Sequence, residues 1–162
     1  MSVGRFIGGI GALLWNPDNN TYLLLKRADD RDYGGGHWEC VTGRVDQGEG
    51  FETALHREVL EEIGVTVQIE FIVSTSHFYR GTPTPENELI GIVYGCTTDD
   101  PNAVQKSAEH SEYRWVTAAE AYALLNDPNY WLHKVIERAE ITRQHLPDEL
   151  KQLQREEGFE IT

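Results

Sequence analysis

Residues 43–65, GRVDQGEGFETALHREVLEEIGV, place three glutamates, Glu58, Glu61 and Glu62, on one stripe of an expected helix. At about 100° per residue the three carboxylates share an arc of about 100°, and Leu55, Val59, Ile63 and Leu60 take the neighbouring arc, which is expected to face a core. Such crowding is unfavourable in itself. Like charges three or four residues apart cost about 0.2–0.5 kcal/mol per pair, and Glu61 and Glu62 stand in the last turn, where the helix dipole disfavours anions. A solvated helix would gain from lysine at these positions. Oxygens converging from adjacent turns are instead what a hard divalent cation such as magnesium or manganese takes as ligands.

On the N-terminal side of this stretch, residues 4–15 and Tyr22 to Lys26 are β-rich runs flanking the turn-like Asn16-Pro17-Asp18-Asn19-Asn20, which predicts a hairpin. Gly8, Gly9 and Gly11 lack the third glycine of a dinucleotide loop and no P-loop Lys-Ser/Thr follows, so they are expected to mark bulges or close backbone approaches. Asp29 to Gly36 is a polar loop, and Trp38 to Val41 an extended segment leading into the glutamate-bearing stretch. On the C-terminal side, Gly64 is placed to end the helix in a left-handed conformation. Val65 to Tyr79 and Glu88 to Thr97 read as strands, and Glu112 to Val116 as a last short one. Thr117 with Glu120 forms a capping box for a helix through Leu125, and Asn129 to Leu146 predicts a longer helix. Pro147 then separates a charged tail, 147–162, expected to be a short helix or disordered, from a single domain over 1–146.

A chain of 162 residues with 40% hydrophobic content is long enough for one sizeable core. The absence of a long apolar run and of a basic-then-apolar start predicts no membrane span and no signal peptide, hence a cytoplasmic protein. Cys40 and Cys96 lack metal-ligand spacing and are expected to be reduced, packed thiols. With 27 acidic against 14 basic residues, the formal charge of −13 repels a nucleic-acid backbone, and no Lys/Arg run offsets it. A small polyphosphate arriving with bridging metal ions is compatible with that charge.

The spacing over 43–65 resembles the Nudix box. In that pattern a glycine is followed after five residues by Glu, after seven more by Arg-Glu-aliphatic-x-Glu-Glu, then by x-Gly-aliphatic. Gly43, Glu49, Arg57, Glu58, Val59, Glu61, Glu62, Gly64 and Val65 match every fixed position. The box covers about a seventh of the chain, and the surrounding order of strands and helices also resembles the family's α/β/α sandwich with a mixed β-sheet.

The resemblance implies hydrolysis of a nucleoside diphosphate linked to another moiety, with magnesium, or manganese in its place, bound by the box glutamates. Phosphoryl transfer needs charge neutralisation on equatorial oxygens and an oriented water in line with the leaving group, which carboxylates and metal together supply. Glu61 and Glu62 are the leading metal ligands, with Glu58 as ligand or general base. Glu49 is placed to bind a second ion or to accept hydrogen bonds from Arg57, whose planar fork suits a carboxylate and favours an orienting role. Gly43 is placed to offer its carbonyl to metal. Family members often recruit an acid from outside the box. Glu112, before Tyr113-Arg114-Trp115-Val116, is the first candidate and Glu109 the alternate. His37, His77 and His110 are weaker candidates for assisting proton transfer.

Many relatives carry Pro-Gly-Gly where this chain has Thr42-Gly43-Arg44. The lead-in Trp38, Val41, Thr42, Gly43 resembles that of triphosphate-cleaving members, which tilts the expected substrate toward a nucleoside or pterin triphosphate. Dinucleoside polyphosphates, nucleotide sugars, and a non-catalytic nucleotide-binding regulatory module remain as alternatives. Tyr33, Trp38, Phe78 or Tyr79 are placed to stack on substrate aromatics, and Lys26, Arg27 and Arg80 to meet phosphates. Expected partners are thus a small nucleotide or polyphosphate, with no polymeric nucleic acid and no membrane, and a homodimer is left open.

Overall fold

The β-rich runs form β1 (Ile7–Asn16), β2 (Thr21–Arg27), β3 (Trp38–Glu39), β4 (Val41–Arg44), β5 (Gln68–Tyr79), β6 (Glu88–Thr97) and β7 (His110–Val116) in a computed structural model that describes residues 4–162. Among the described residues four α-helices accompany them: α1 (Phe51–Ile63), α2 (Ala118–Leu125), α3 (Trp131–His145) and α4 (Asp148–Glu157). β1 organises the sheet. It runs parallel to β6 from Ile7 opposite Leu89 to Leu14 opposite Cys96, and antiparallel to β4 from Gly9 opposite Arg44 to Ala12 opposite Val41. The expected hairpin with β2 is confined to Trp15 opposite Tyr22 and Asn16 opposite Thr21, because β4 already occupies that edge of β1 further back. Beyond the hairpin β2 carries β3 and β7, while β5 adds to the far edge of β6.

Alternation along β1 sends its side chains to two cores. Ile10, Ala12 and Leu14 join Ala54, Leu55, Val59 and Ile63 of α1 on one face. Leu13 joins Ala121 of α2 and Leu132, Val135, Ile136 and Ala139 of α3 on the other. The result is the expected α/β/α sandwich around a mixed sheet. Leu55, Val59 and Ile63 are fully buried, and each contributes about 1.5–3 kcal/mol by leaving water. Cys40 and Cys96 are buried free thiols, one in each core.

Local signals set the helix ends. Gly64 closes α1 at φ 70°, a left-handed conformation that suits glycine, and its N–H donates to the Leu60 carbonyl. Thr117 and Glu120 make the reciprocal capping box of α2. Leu60 differs from expectation: its side chain is exposed, and Glu62 is buried instead. Steps of 100° put position 62 only about 20° from Leu55 and position 60 about 140° away, so the glutamate and not the leucine lies on the core side. The segment after Pro147 forms α4, whose Arg155 makes a forked ion pair with Glu70 at 2.8 Å. Among the described residues no helix is long and apolar enough to cross a membrane.

Candidate active site

β4 and α1 are packed so that the Glu58 side chain lies across Gly43. A Cβ built on Gly43 would stand 2.2 Å from the Glu58 Cδ, so only glycine lets the carboxylate approach this backbone. Glu58 Oε1 accepts from the Arg44 backbone N–H at 3.3 Å and from Arg57 Nη1 at 2.8 Å. Arg57 is the hub. Its Nε and Nη2 fork onto the two oxygens of Glu49 at 2.8 and 2.9 Å, Nη2 also donates to the Arg44 carbonyl at 2.9 Å, and Nη1 lies 3.5 Å from Glu61. Arg57, and after it the Asp46 backbone N–H, holds the Glu49 carboxyl down at about 2. The reciprocal pairing with Glu49 and Glu58 raises the Arg57 guanidinium further.

Glu62 occupies a different environment one turn away. It is 7% exposed, its Oε2 has no hydrogen-bond partner, and that oxygen lies 3.9 Å from Nε2 of the buried His110. His110 Nε2 donates instead to Glu39 Oε1 at 2.9 Å, and Glu39 also accepts from Arg27 Nη1 at 3.0 Å and from Thr42 Oγ1 at 3.3 Å. Burial first, then the charges of Glu39, Glu58 and Glu109, push the Glu62 carboxyl up to about 9. Glu61, in contrast, points outward with 60% of its side chain exposed.

Among the described residues no three acids or histidines stand together in coordinating geometry. The donors nonetheless suit a hard divalent ion. Glu62 carries an orphaned buried oxygen, Glu58 is pressed onto a carbonyl-bearing glycine, and the acids around Glu62 raise the cost of its charge without a cation.

The profile of the NUDIX domain matches residues 6–139. The chain belongs to the NUDIX domain family. Its sequence is 30% identical over 106 residues to the nucleoside triphosphatase NudI of Escherichia coli, covering 61% of this chain and 74% of that protein. Its fold is similar to the MutT protein of Methanosarcina mazei (TM-score 0.70, 26% identity, 89% of this chain and 99% of that one). It also resembles the Ap4A hydrolase of C. elegans (TM-score 0.68, 20% identity, 85% and 98%).

Around the Nudix helix α1, the remaining expected residues divide by position. Arg27 is committed to Glu39 and to the Tyr33 carbonyl, and the Trp38 ring is covered by Arg114 at 5.2 Å. Arg80 lies 5.5 Å over the Tyr33 ring; burial, then Arg44 and Arg27, pull its guanidinium below the ordinary value. Lys26 stands opposite Glu112 and Trp38 in the sheet. Glu112 accepts from Arg114 on an exposed surface. Glu109 pairs with Arg31 at 3.1 Å and its charge bears on Glu62. His77 donates to Glu88 at 2.9 Å and His37 packs beside Tyr130. Sequence reasoning overlooked Glu39 and ranked His110 low, since neither belongs to the box spacing.

Gly43→Ala is expected to cut turnover more than about tenfold and to cost about 1–3 kcal/mol, because Glu58 must leave the space that the new Cβ takes. Steady-state kinetics and urea denaturation measure both, and wild-type values in G43A would show that Glu58 has another functional position.

Proposed function

We propose that the chain is a magnesium-dependent pyrophosphohydrolase that cleaves a phosphoanhydride in a nucleoside triphosphate or related triphosphate. The observation that carries this reading is the approach of the Glu58 carboxylate to the Gly43 backbone with the unpartnered, buried oxygen of Glu62 one turn on, to which Arg44 and Arg80 add cations that have no acidic partner. Arg44 follows Gly43 on β4, neighbours Arg80 electrostatically, and neither arginine makes an ion pair among the described residues. In a chain of formal charge −13 such cations are placed for phosphate oxygens beyond those that a metal neutralises. The likeness to a nucleoside triphosphatase supports the same substrate class.

Magnesium, or manganese, held by Glu58, Glu61, Glu62 and the Gly43 carbonyl would supply charge neutralisation on the transferred group. Glu49 keeps Arg57 in place rather than binding an ion. Arg44 and Arg80 hold the terminal phosphates, and Tyr33, beneath Arg80, lines the approach. Water oxygen forms the new bond to phosphorus as the bridging P–O bond breaks. Pyrophosphate leaves, and the water proton passes to a carboxylate. Glu109 is the acid outside the box that acts here, because its charge is felt at Glu62 and Arg31 keeps it oriented, whereas Glu112 is tied to Arg114.

Two measurements test this. Incubation with nucleoside triphosphates, a pterin triphosphate, dinucleoside polyphosphates and nucleotide sugars plus magnesium, with products identified, is expected to show monophosphate and pyrophosphate from triphosphates. Absence of turnover across the panel, with tight metal-dependent nucleotide binding, would establish a binding module instead. Glu109→Gln is expected to lower kcat by about 10²-fold or more, as loss of a general base does, and Glu112→Gln to leave it within about threefold. The reverse ranking would transfer the role to Glu112.

A further inference from the structure

The Nudix helix α1 begins without a cap of its own. Its N-cap is Gly50, which has no side chain to accept the first-turn N–H groups. Those groups are satisfied from the other end of the chain. Phe51 N–H donates to Glu160 Oε1 at 2.7 Å and Glu52 N–H to Glu160 Oε2 at 3.0 Å. The exchange is reciprocal, for Glu52 Oε1 accepts from the Phe159 N–H and, at 3.1 Å, from the Glu160 N–H. Two carboxylates thus cap each other's backbone across more than a hundred residues of sequence.

The surroundings are shaped for this contact. A Cβ on Gly50 would lie 2.4 Å from the Glu160 carboxylate, and one on Gly158 would lie 2.9 Å from that of Glu52. Gly158 also has φ 79°, which turns the chain from the end of α4 back toward α1. Phe159 packs against the core beneath α1, its ring edge-on to the buried Tyr94 at 5.7 Å between centroids. An anion at a helix N-terminus is further favoured by the dipole.

We propose that residues 158–160 are a clasp that caps the Nudix helix from the far end of the chain, and that Glu160 is a positioning residue for the glutamates of that helix. Glu58 lies seven residues, about 10 Å along the axis, from the capped end. The Glu58 carboxylate touches Gly43 with no slack, so a frayed or shifted first turn is felt at the metal-binding end. Glu160 acts through the helix and does not touch the reacting atoms.

Hydrogen exchange and Mn2+ binding on the 162-residue chain test the clasp. In Glu160→Ala the amides of Phe51 and Glu52 are expected to lose about fivefold in protection, the effect of a lost cap. The Mn2+ dissociation constant is expected to rise by about tenfold. E160Q, keeping one acceptor oxygen, falls between, and Phe159→Ala acts in the same direction. Thr117→Ala removes the cap of α2 as a matched control, with a similar loss of thermal stability and unchanged Mn2+ affinity. Unchanged protection at Phe51 and Glu52 in E160A overturns the proposal, as does a Mn2+ affinity that falls equally in T117A. The Mn2+ arm rests on the metal reading of the box acids, whereas the exchange arm does not, so failure of one is distinguishable from failure of the other.

Discussion

Glu62→Gln is expected to lower kcat by at least about 10²-fold while raising the stability of the metal-free protein at alkaline pH. The first effect follows from losing an anionic oxygen where several kcal/mol of charge stabilisation is needed. The second follows from linkage. The carboxyl of Glu62 sits at about 9 in the fold, chiefly through burial, against an ordinary value of 4.5 in the unfolded chain. The folded state therefore holds a proton that the unfolded state has released across that window. Its contribution is fully present below the unfolded value and is lost as pH rises toward 9, with a slope of up to about 1.4 kcal/mol per unit. Glutamine has no proton to lose, so E62Q should show a flat profile where the wild type declines. Magnesium bound at Glu62 as proposed would displace the same proton, so wild-type affinity should tighten up to about tenfold per pH unit on approaching 9. Thermal denaturation in chelator and calorimetric titration with Mg2+ at several pH values read both. A wild-type profile as flat as that of E62Q would mean that Glu62 is already ionised without metal.

The burial of Glu62 follows from helical arithmetic, yet the expectation that grouped Leu60 with the core-facing residues missed it. Position 62 falls beside Leu55 on the helix wheel, so a glutamate there has to be buried, and the exposed Leu60 is its counterpart. The capping box at Thr117, the closing Gly64 and the spacing from Gly43 to Val65 were legible, because each is a short-range pattern with a local cause. Contacts set by topology were not. His110 reaches Glu39 only because β7 and β3 flank β2, with Leu25 opposite both Glu39 and Tyr113, and nothing near either residue announces the pairing. Glu109 and Glu112 differ by three residues in sequence, yet one lies just before β7 where its charge reaches Glu62, and the other projects from β7 toward Arg114. Glu160 is a charge in an acidic tail until the chain turns at Gly158 and brings it to the Nudix helix.

Arg57→Lys is expected to cost about 10–100-fold in kcat although the charge is kept, because the site uses the shape of the guanidinium. One planar group bridges both oxygens of Glu49, one of Glu58 and the Arg44 carbonyl. It thereby fixes the loop before α1 to the helix and to β4. An ammonium is a point donor, and in R57K it can satisfy Glu49 or Glu58 but does not hold the two in register. Arg57→Ala goes further by leaving Asp46, Glu49, Glu58 and Glu61 to repel one another. These groups are partly exposed and screened, so the loss of stability is modest at low salt and smaller at high salt. Since Arg57 is the first cause of the low Glu49 value, the carboxyl of Glu49 should return toward the ordinary range in R57A. Its stabilising contribution, present above the unfolded value and lost as pH falls through about 2 in the wild type, should then disappear. Carbon-detected titration of Glu49 checks the electrostatics, and kcat in R57K checks the geometry. A lysine variant with wild-type kcat would leave Arg57 as a counter-charge only. If instead magnesium restores the thermal stability of R57A without restoring its kcat, the cation can replace the charge of Arg57 but not the fork that aims Glu58.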